Sequence, residues 1–409
     1  MHFGKQLVLL LIGIPTGLLS QNLPSLTLDK NINATFSIIG YDAEAKEWGV
    51  AVATNNLYVG NSTIYIRPGI GAFSVIAETE PMYGTNGLEL LQKGHTIKEA
   101  IETTKDQDKE AHFRQVSGID ANGNGHAFTG AALHYWKGAA VTKKGKNYVV
   151  MGNQLAEGVL SAMATRFENS KGTLAQRLLQ SLLAGQEKGG QLSGKQSAAL
   201  VVKGSENEWF NQIDLRVDHS KTPFKDLEKL LQYHYGRIRV NQTLYAARQG
   251  NIKRAKTVLA EAEKLTDGWT GIYGKLILAH SLLGNTEKAV ALIQKALTEN
   301  PNWSSNLSAF YYLRHHEKIN PLITPETFTL NDWNSAIMAM IVLQKHTESV
   351  QLAEKTLEKH PYSSYTHYLL GKAFVHSGQH KKGRLQLKKA IQLDADNREA
   401  IALLNELHD

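Results

Sequence analysis

Cysteine is absent from all 409 residues. Its absence excludes disulfides, thiolate nucleophiles, Cys-ligated zinc or iron–sulfur centres and a lipid-modified N-terminal cysteine. A strong charge of either sign is also lacking. The formal net charge is +7, from 45 Lys+Arg and 38 Asp+Glu, too small and too dispersed to suggest nucleic acid. Beyond the first twenty residues no apolar run reaches the ~20 residues of a membrane helix, so no stable membrane insertion is expected. P-loop, Gly-x-Ser-x-Gly, His-Glu-x-x-His and dinucleotide-binding patterns are all missing, and no cofactor or metal is expected. What remains is an ordinary globular mixture, 42% hydrophobic and 20% charged, long enough for two to three domains.

Glycine divides the chain. Residues 1–237 carry 26 of the 34 glycines, and residues 238–409 carry the other 8. Charge follows the same division, with 24 Lys+Arg against 22 Asp+Glu before residue 238 and 21 against 16 after it. The front therefore reads as a sheet-containing domain and the back as a mildly basic helical one. Ahead of both, Leu7–Leu19 is a 13-residue apolar stretch behind His2 and Lys5, broken by Pro15 and Gly17. It reads as the core of a signal peptide over residues 1–20, with an exported, periplasmic or secreted product. Residues 21–34 read as a linker or pro-segment.

The back half repeats. Gly250-Asn251 recurs as Gly284-Asn285, 34 residues later, the tetratricopeptide period. Windows starting at 236, 270, 330 and 364 align Thr243, Ile277, Ile337 and Gly371 at the eighth position. They align Ala255, Ala289, Ser349 and Gly383 at the twentieth, and Ala262, Ala296, Thr356 and Ala390 at the twenty-seventh. Small residues at fixed places let two helices approach closely. Pro301 and Pro361 mark where each second helix stops. Residues 236–409 thus resemble tetratricopeptide repeats, with 304–329 as a degenerate unit. Such stacks bind a protein or peptide on a concave face. The basic run His380-Lys381-Lys382-Gly383-Arg384 either binds an acidic ligand or is a solvated helix face, and reads as the latter; Tyr311, Tyr312 and Trp333 read as core rather than as a ligand platform.

In the front domain, Thr35–Ile39 and Trp48–Ala53 alternate around a polar Asp42–Glu47 turn and predict a hairpin. Further strands are expected at Ile64–Arg67, Ala72–Ala77, Gln115–Asp120, His126–Thr129, Ala198–Val202 and Ile213–Val217. Helices are expected at Thr85–Gln92, after the capping box Thr96–Glu99, at Val159–Phe167 and Leu174–Leu183, and from Phe224. Strand pairs, then helices, then strands argue for a layered α+β sandwich.

Seven motifs then occur in order: Thr35-Phe-Ser-Ile-x-x-x-Asp42, Tyr83-Gly-x-x-Gly-Leu-x-Leu-Leu91, Phe128-Thr-Gly130, Gly152-Asn-x-Leu155, Gly185-Gln-x-x-Gly-Gly190, Gly194-Lys-Gln-Ser-Ala-Ala-Leu200 and Asp214-Leu-Arg-Val-Asp218. Together they resemble an uncharacterised bacterial domain family of the N-terminal-nucleophile (Ntn) hydrolase superfamily, over about residues 35–233. The resemblance implies a four-layer αββα sandwich that hydrolyses an amide bond. It places a nucleophile at Thr35, the first matched residue. A threonine at a free N-terminus carries its own base, an α-amine of pKa about 7.7–8.0, whereas an internal threonine has only a non-basic amide. The chemistry therefore requires cleavage between Ala34 and Thr35, by the chain itself or by another protease. Without that cleavage Thr35 is an ordinary β-branched strand residue.

Supporting roles are expected as alternatives. Arg67, at a strand end, either depresses the amine pKa or is solvated. Asn153, in a Gly-flanked loop, either donates to an oxyanion or forms a turn. Ser197 and Asp214 either orient the amine or satisfy strand ends. Asp218 and His219 either bind substrate or turn the chain. The chain departs from the family at Gly189-Gly-Gln-Leu-Ser-Gly194, where the usual pattern is Gly-Gly-Asp-x-Arg-Gly, and it lacks a second Asp before His219. A lost surface ion pair would matter by about 0–1 kcal/mol, and a lost catalytic or substrate-reading pair would alter specificity or abolish activity. The sequence thus predicts an exported amide hydrolase with a partner-binding repeat module, against the alternative of a catalytically silent exported scaffold.

Overall fold

The structure, a computed structural model, describes residues 34–208, 211–303, 307–314, 326 and 328–407. The expected signal segment and nearly all of the linker, and most of the expected degenerate repeat, lie outside these residues. Two compact units, Met1–Leu230 and Leu231–Asp409, divide inside one helix, α6, described below.

The first unit holds ten strands among the described residues: β1 Thr35–Asp42, β2 Glu47–Thr54, β3 Ile64–Arg67, β4 Gly71–Ala77, β5 Arg114–Asp120, β6 Gly125–Thr129, β7 Ala139–Gly145, β8 Tyr148–Leu155, β9 Ser197–Gly204 and β10 Ile213–Val217. They form a six-stranded sheet of order β10-β9-β2-β1-β8-β7 and a four-stranded sheet of order β3-β4-β5-β6, antiparallel throughout. Between the sheets lie Ile39, Trp48, Val50, Ala72, Ile119 and Val149. The Trp48 indole N–H donates to the Asp120 carbonyl at 3.1 Å and ties one sheet to the other. After the short α1 (Val59–Ser62), the helices α2 (Met82–Gln92) and α3 (Ile97–Gln107) cover the outer face of the four-stranded sheet. Helices α4 (Val159–Asn169) and α5 (Leu174–Glu187) cover that of the six-stranded one. The layers are therefore αββα, as expected.

Local chemistry starts and packs these helices. Thr96 with Glu99, and Thr173 with Gln176, form complete capping boxes. At Gly84 in α2 a Cβ would lie 2.1 Å from the Tyr65 ring, so only glycine lets that helix reach β3. Two strands escape the sequence pattern: β7, and β8, which is buried along its whole length and so shows a continuous apolar run rather than alternation.

The second unit begins within α6 (Pro223–Arg248) and continues as α7 Ile252–Leu265, α8 Tyr273–Leu283, α9 Thr286–Glu299, α10 Leu307–Arg314, α11 Leu330–Val342, α12 His346–Lys359, α13 Ser364–His376, α14 His380–Leu393 and α15 Arg398–Glu406. All twelve aligned repeat positions are buried. A Cβ on Gly371 would meet the Leu387 side chain at 2.9 Å, and one on Gly383 would meet Val375 at 2.7 Å, so small residues hold α13 against α14. The turn position recurs in left-handed conformation in all four windows, at Gly250, Gly284, Gln344 and Gly378, with φ of 72°, 77°, 57° and 76°. Trp333 is core, with Tyr312 packed against it. No helix among the described residues is long and apolar enough to cross a membrane.

Candidate active site at the start of the first strand

Thr35 opens β1 and is 5% exposed. The Asp42–Glu47 turn fixes the hairpin register and sets Thr54 opposite Thr35. The Thr35 hydroxyl donates to Thr54 Oγ1 at 3.0 Å, and Thr54 Oγ1 donates to the Ala34 carbonyl at 2.7 Å. The same carbonyl accepts from the Asn55 amide at 3.4 Å. Two donors therefore converge on the oxygen of the peptide bond ahead of Thr35.

The Thr35 backbone nitrogen is held as well. It donates to Asn153 Oδ1 at 3.2 Å, and Asn153 Nδ2 donates to Gln115 Oε1 at 3.2 Å. Gln115 is fully buried and offers Nε2 to Thr129 Oγ1 at 3.1 Å, the Gly152 carbonyl at 3.1 Å and the Val141 carbonyl at 3.3 Å. This relay runs from the four-stranded sheet through β8 to Thr35. Asn153 thus lies on β8 rather than in a loop. Toward the Thr35 nitrogen it acts as an acceptor, and one of its two Nδ2 protons goes to Gln115.

A cavity of about 200 Å³ opens beside Thr35, with Thr54, Asn56, Tyr58, Ser62, Thr63, Ala77, Glu78 and Thr79 among its lining residues. Its walls are anchored from behind. Ser197, buried at the start of β9, donates to the Asn56 carbonyl at 2.7 Å and accepts from the Val59 amide at 3.2 Å. The Asp218 carbonyl accepts from the Tyr58 amide at 3.1 Å. Opposite, Arg114 Nη1 donates to the Glu78 carbonyl at 3.2 Å while its Nε meets Asp108 at 2.9 Å. Burial raises the Asp108 pKa, but the Arg114 guanidinium and the Glu110 amide outweigh it and hold the carboxyl below its usual range.

Backbone strain gathers here. Of the six non-glycine residues with positive φ among the described residues, Tyr58 at 58° and Ala77 at 71° line the cavity, and Gln154 at 52° follows Asn153. Such conformations persist only where surrounding structure imposes them, and they concentrate at functional sites.

The other expected site residues lie apart from Thr35. Arg67 is an exposed strand-end cation bound to Glu89 at 2.7 Å and to Gln92. Asp214 sits on the edge strand β10, separated from β1 by β9 and β2, in a bidentate pair with Arg216 at 2.7 and 3.0 Å. His219 is exposed. Asp218 contributes a backbone carbonyl to the wall, as noted. The Gly189–Gly194 loop, where the chain departs from its family, is pinned at the same strand ends. Gln191 is 6% exposed and donates to the Ala53 carbonyl at 3.3 Å, and the Leu192 amide reaches the Gln154 carbonyl at 3.0 Å. The departure at 191 is therefore in the interior and not a lost surface ion pair. Thr54, Gln115 and Glu78 were not singled out from sequence. Thr54 had a usable signal, since counting outward from the turn pairs it with Thr35.

Among the described residues no three His, Asp or Glu side chains cluster as metal ligands. Residues 364–397 match the model of a tetratricopeptide repeat. The solved structures similar to the helical unit include MamA from Desulfovibrio magneticus RS-1, at 18% identity over 42% of this chain and 82% of that one with a TM-score of 0.21. They also include YrrB, described as a TPR protein with an unusual peptide-binding site, at 14% identity over 40% and 89% with a TM-score of 0.23. No curated protein matches the chain. For the front domain, a crystal structure from Silicibacter pomeroyi, itself assigned to the family DUF1028, is 30% identical over 49% of this chain and 85% of that one, with a TM-score of 0.45. Residues 35–227 match the model of that same family, one of unknown function, and the chain belongs to the DUF1028 family.

Proposed function

We propose that the front domain hydrolyses an amide bond with Thr35 as an N-terminal nucleophile. One observation carries the reading: the hydroxyl, the backbone nitrogen and the preceding carbonyl of Thr35 are each held by a separate hydrogen bond at the wall of a cavity.

The same arrangement supports self-cleavage. The Thr35 Oγ1 attacks the Ala34 carbonyl carbon, and its proton passes to the Thr35 nitrogen as the Ala34–Thr35 amide bond breaks. The acyl group of Ala34 then sits on Oγ1 as an ester, which water hydrolyses to an Ala34 carboxylate and a free Thr35. The Thr54 hydroxyl and the Asn55 amide steady the negative charge that builds on the Ala34 oxygen. Once free, the α-amine accepts the Oγ1 proton, and Oγ1 attacks the substrate amide carbonyl. The leaving amine takes that proton. Water then releases the acyl group and restores the hydroxyl. Asn153 Oδ1 orients the amine throughout.

Export rests on the Leu7–Leu19 apolar stretch, and the repeat unit supplies a site for a protein or peptide partner. N-terminal sequencing and intact mass of the purified protein test the reading. A Thr35 N-terminus, lost in Thr35→Ala, is expected. A peptide bond retained before Thr35 in protein active on amides overturns it.

A further inference from the structure

In the helical unit a cavity of about 220 Å³ is lined from α6, α8, α11 and α13, the first helices of the four 34-residue windows. The lining positions recur in that frame. Leu278 and Met338 stand ninth in their windows, Asn331 and Tyr365 second, and Arg248, Leu282 and Val342 thirteenth. One face of each first helix therefore turns toward the same space. The volume lies below the roughly 300–1,000 Å³ of pockets for drug-sized ligands, so it takes one side chain of a longer partner. Leu278, Leu282, Met338, Ala339 and Val342, all buried or half-buried, make its floor apolar.

The rim is polar and carries a charge. The thirteenth position, apolar at Leu282 and Val342, becomes Arg248, an exposed guanidinium in the last turn of α6. No carboxylate among the described residues pairs with it. Its charge acts instead on the Tyr365 phenol and on Lys372, both of α13. Lys372 is half-buried and gives Nζ to the Tyr368 hydroxyl at 3.2 Å. Burial and Arg248 together hold its pKa below the ordinary lysine value, and Glu406 and Glu399 of α15 oppose that effect without pairing with either cation. Asn334 adds a neutral donor. It is 7% exposed, its Oδ1 accepts from the Thr366 hydroxyl at 2.7 Å, and its Nδ2 meets no acceptor among the described residues. A nearly buried donor left open toward a cavity is completed by an incoming acceptor.

We propose that this cavity binds an extended acidic segment of a partner protein, with one apolar side chain on the floor, a nearby Asp or Glu side chain on Arg248, and a peptide carbonyl on Asn334 Nδ2. Residues two apart share a face of an extended chain, so the apolar and acidic residues are expected at that spacing. The inference rests on the repeat unit as a partner-binding module and is independent of Thr35.

Fluorescence polarisation with full-length protein tests it, using fluorescein-labelled, C-terminally amidated peptides Gly-Ser-Leu-Ser-Glu-Ser-Gly and its variants. Replacing Glu by Gln, or Leu by Ser, should weaken binding by about tenfold each at low salt, and replacing Glu by Lys should weaken it most. The preference for Glu should shrink at high salt as screening sets in. Arg248→Gln should abolish the preference for Glu over Gln and keep that for Leu over Ser, which also reports that the groove is still folded. Arg248→Lys, which keeps a favourable charge at the end of α6, should retain the preference for Glu, and Arg248→Glu should make the Lys peptide the best binder. Equal affinity for the Glu and Gln peptides, a preference for Glu that survives Arg248→Gln, or binding only of a peptide with a free carboxyl terminus would each overturn the proposal. Equal, measurable binding of all the peptides sinks the acidic selectivity and keeps the partner-binding module. Binding of none of them overturns the proposal and counts against the module as well.

Discussion

Replacing Gln115 by Met tests whether the relay behind Thr35 holds the two sheets in register. Met conserves length and volume but donates nothing. Gln115 is fully buried and binds four partners, three through the two protons of Nε2 and one through Oε1. Its loss orphans Asn153 Nδ2 and removes a donor from the Gly152 and Val141 carbonyls. A buried polar group left unsatisfied costs about 1–3 kcal/mol. Partial relaxation brings the expected total to about 2–5 kcal/mol, a factor of roughly 30 to a few thousand in opening at 1.4 kcal/mol per tenfold. Because the chain has two units, one melting curve would mix them. Hydrogen exchange followed by mass spectrometry reads each separately. Peptides covering Thr35–Asp42 and Tyr148–Leu155 should exchange faster by that factor, with peptides from α8 and α13 unchanged. Protection in β1 and β8 within about threefold of the parent would refute the reasoning, since it would mean that the relay contributes nothing to holding β8 against β1.

Thr54→Val keeps the shape of the side chain and removes the donor 2.7 Å from the Ala34 oxygen. Appearance of a Thr35 N-terminus should slow by about 10²–10³, the usual effect of one oxyanion donor, and an unchanged rate by intact mass contradicts the assignment. Asp108→Asn strips the partner from buried Arg114, a change of about 3–5 kcal/mol near neutral pH. The folded Asp108 pKa lies below its unfolded value of about 3.9. Its contribution is therefore full above that value and is lost as pH falls through the folded one. Parent and variant stabilities, followed by exchange of β5 peptides, should converge below pH 4, and a gap that persists in acid argues against the pair. Gln344→Gly relieves a left-handed residue where the other three repeats carry glycine, and exchange from α11 and α12 should slow by about fivefold, or 1 kcal/mol. No gain would mean that the Gln344 side chain offsets its own strain.

The layered fold was legible because its determinants are local. Thr96 and Glu99 announce a helix start, the Asp42–Glu47 turn sets a register that can be counted, and the 34-residue spacing of small residues specifies the repeat. Strand β8 escapes the pattern because an inner strand buried on both faces loses its alternation, while Asn153-Gln154 at its end carries turn-forming chemistry; β7 escapes it for the opposite reason, as an exposed edge strand whose Thr142–Gly145 half is polar throughout. Site residues were harder for a different reason. Arg67 stands at a strand end and Asp214 in a strand motif, but a strand residue belongs to the site only if its sheet position and direction bring it there. Arg67 lies on the edge of the smaller sheet and Asp214 on the far edge of the larger one. Gln115, on β5 of the smaller sheet, reaches Thr35 through Asn153, and Glu78, just past the end of β4, lines the cavity beside Thr35; neither carries a motif. Their role arises from the face-to-face packing of two sheets, a relation between residues about 40 and 80 positions away from Thr35.

Placing Arg67 elsewhere also changes how a free Thr35 amine would be kept neutral. With the cation assigned to Glu89 and Gln92, burial is what remains: Thr35, at 5% exposure, sits where desolvation disfavours the ammonium. Activity requires the neutral amine, so it should rise with pH through the pKa of that amine. Arg67→Met should leave the acidic limb of the kcat/KM profile where it is. If Arg67→Met instead shifts the limb upward, the exposed guanidinium acts over a distance that its ion pair and solvent should screen. The amine would then be tuned by charge from outside the cavity rather than by the burial of its own strand.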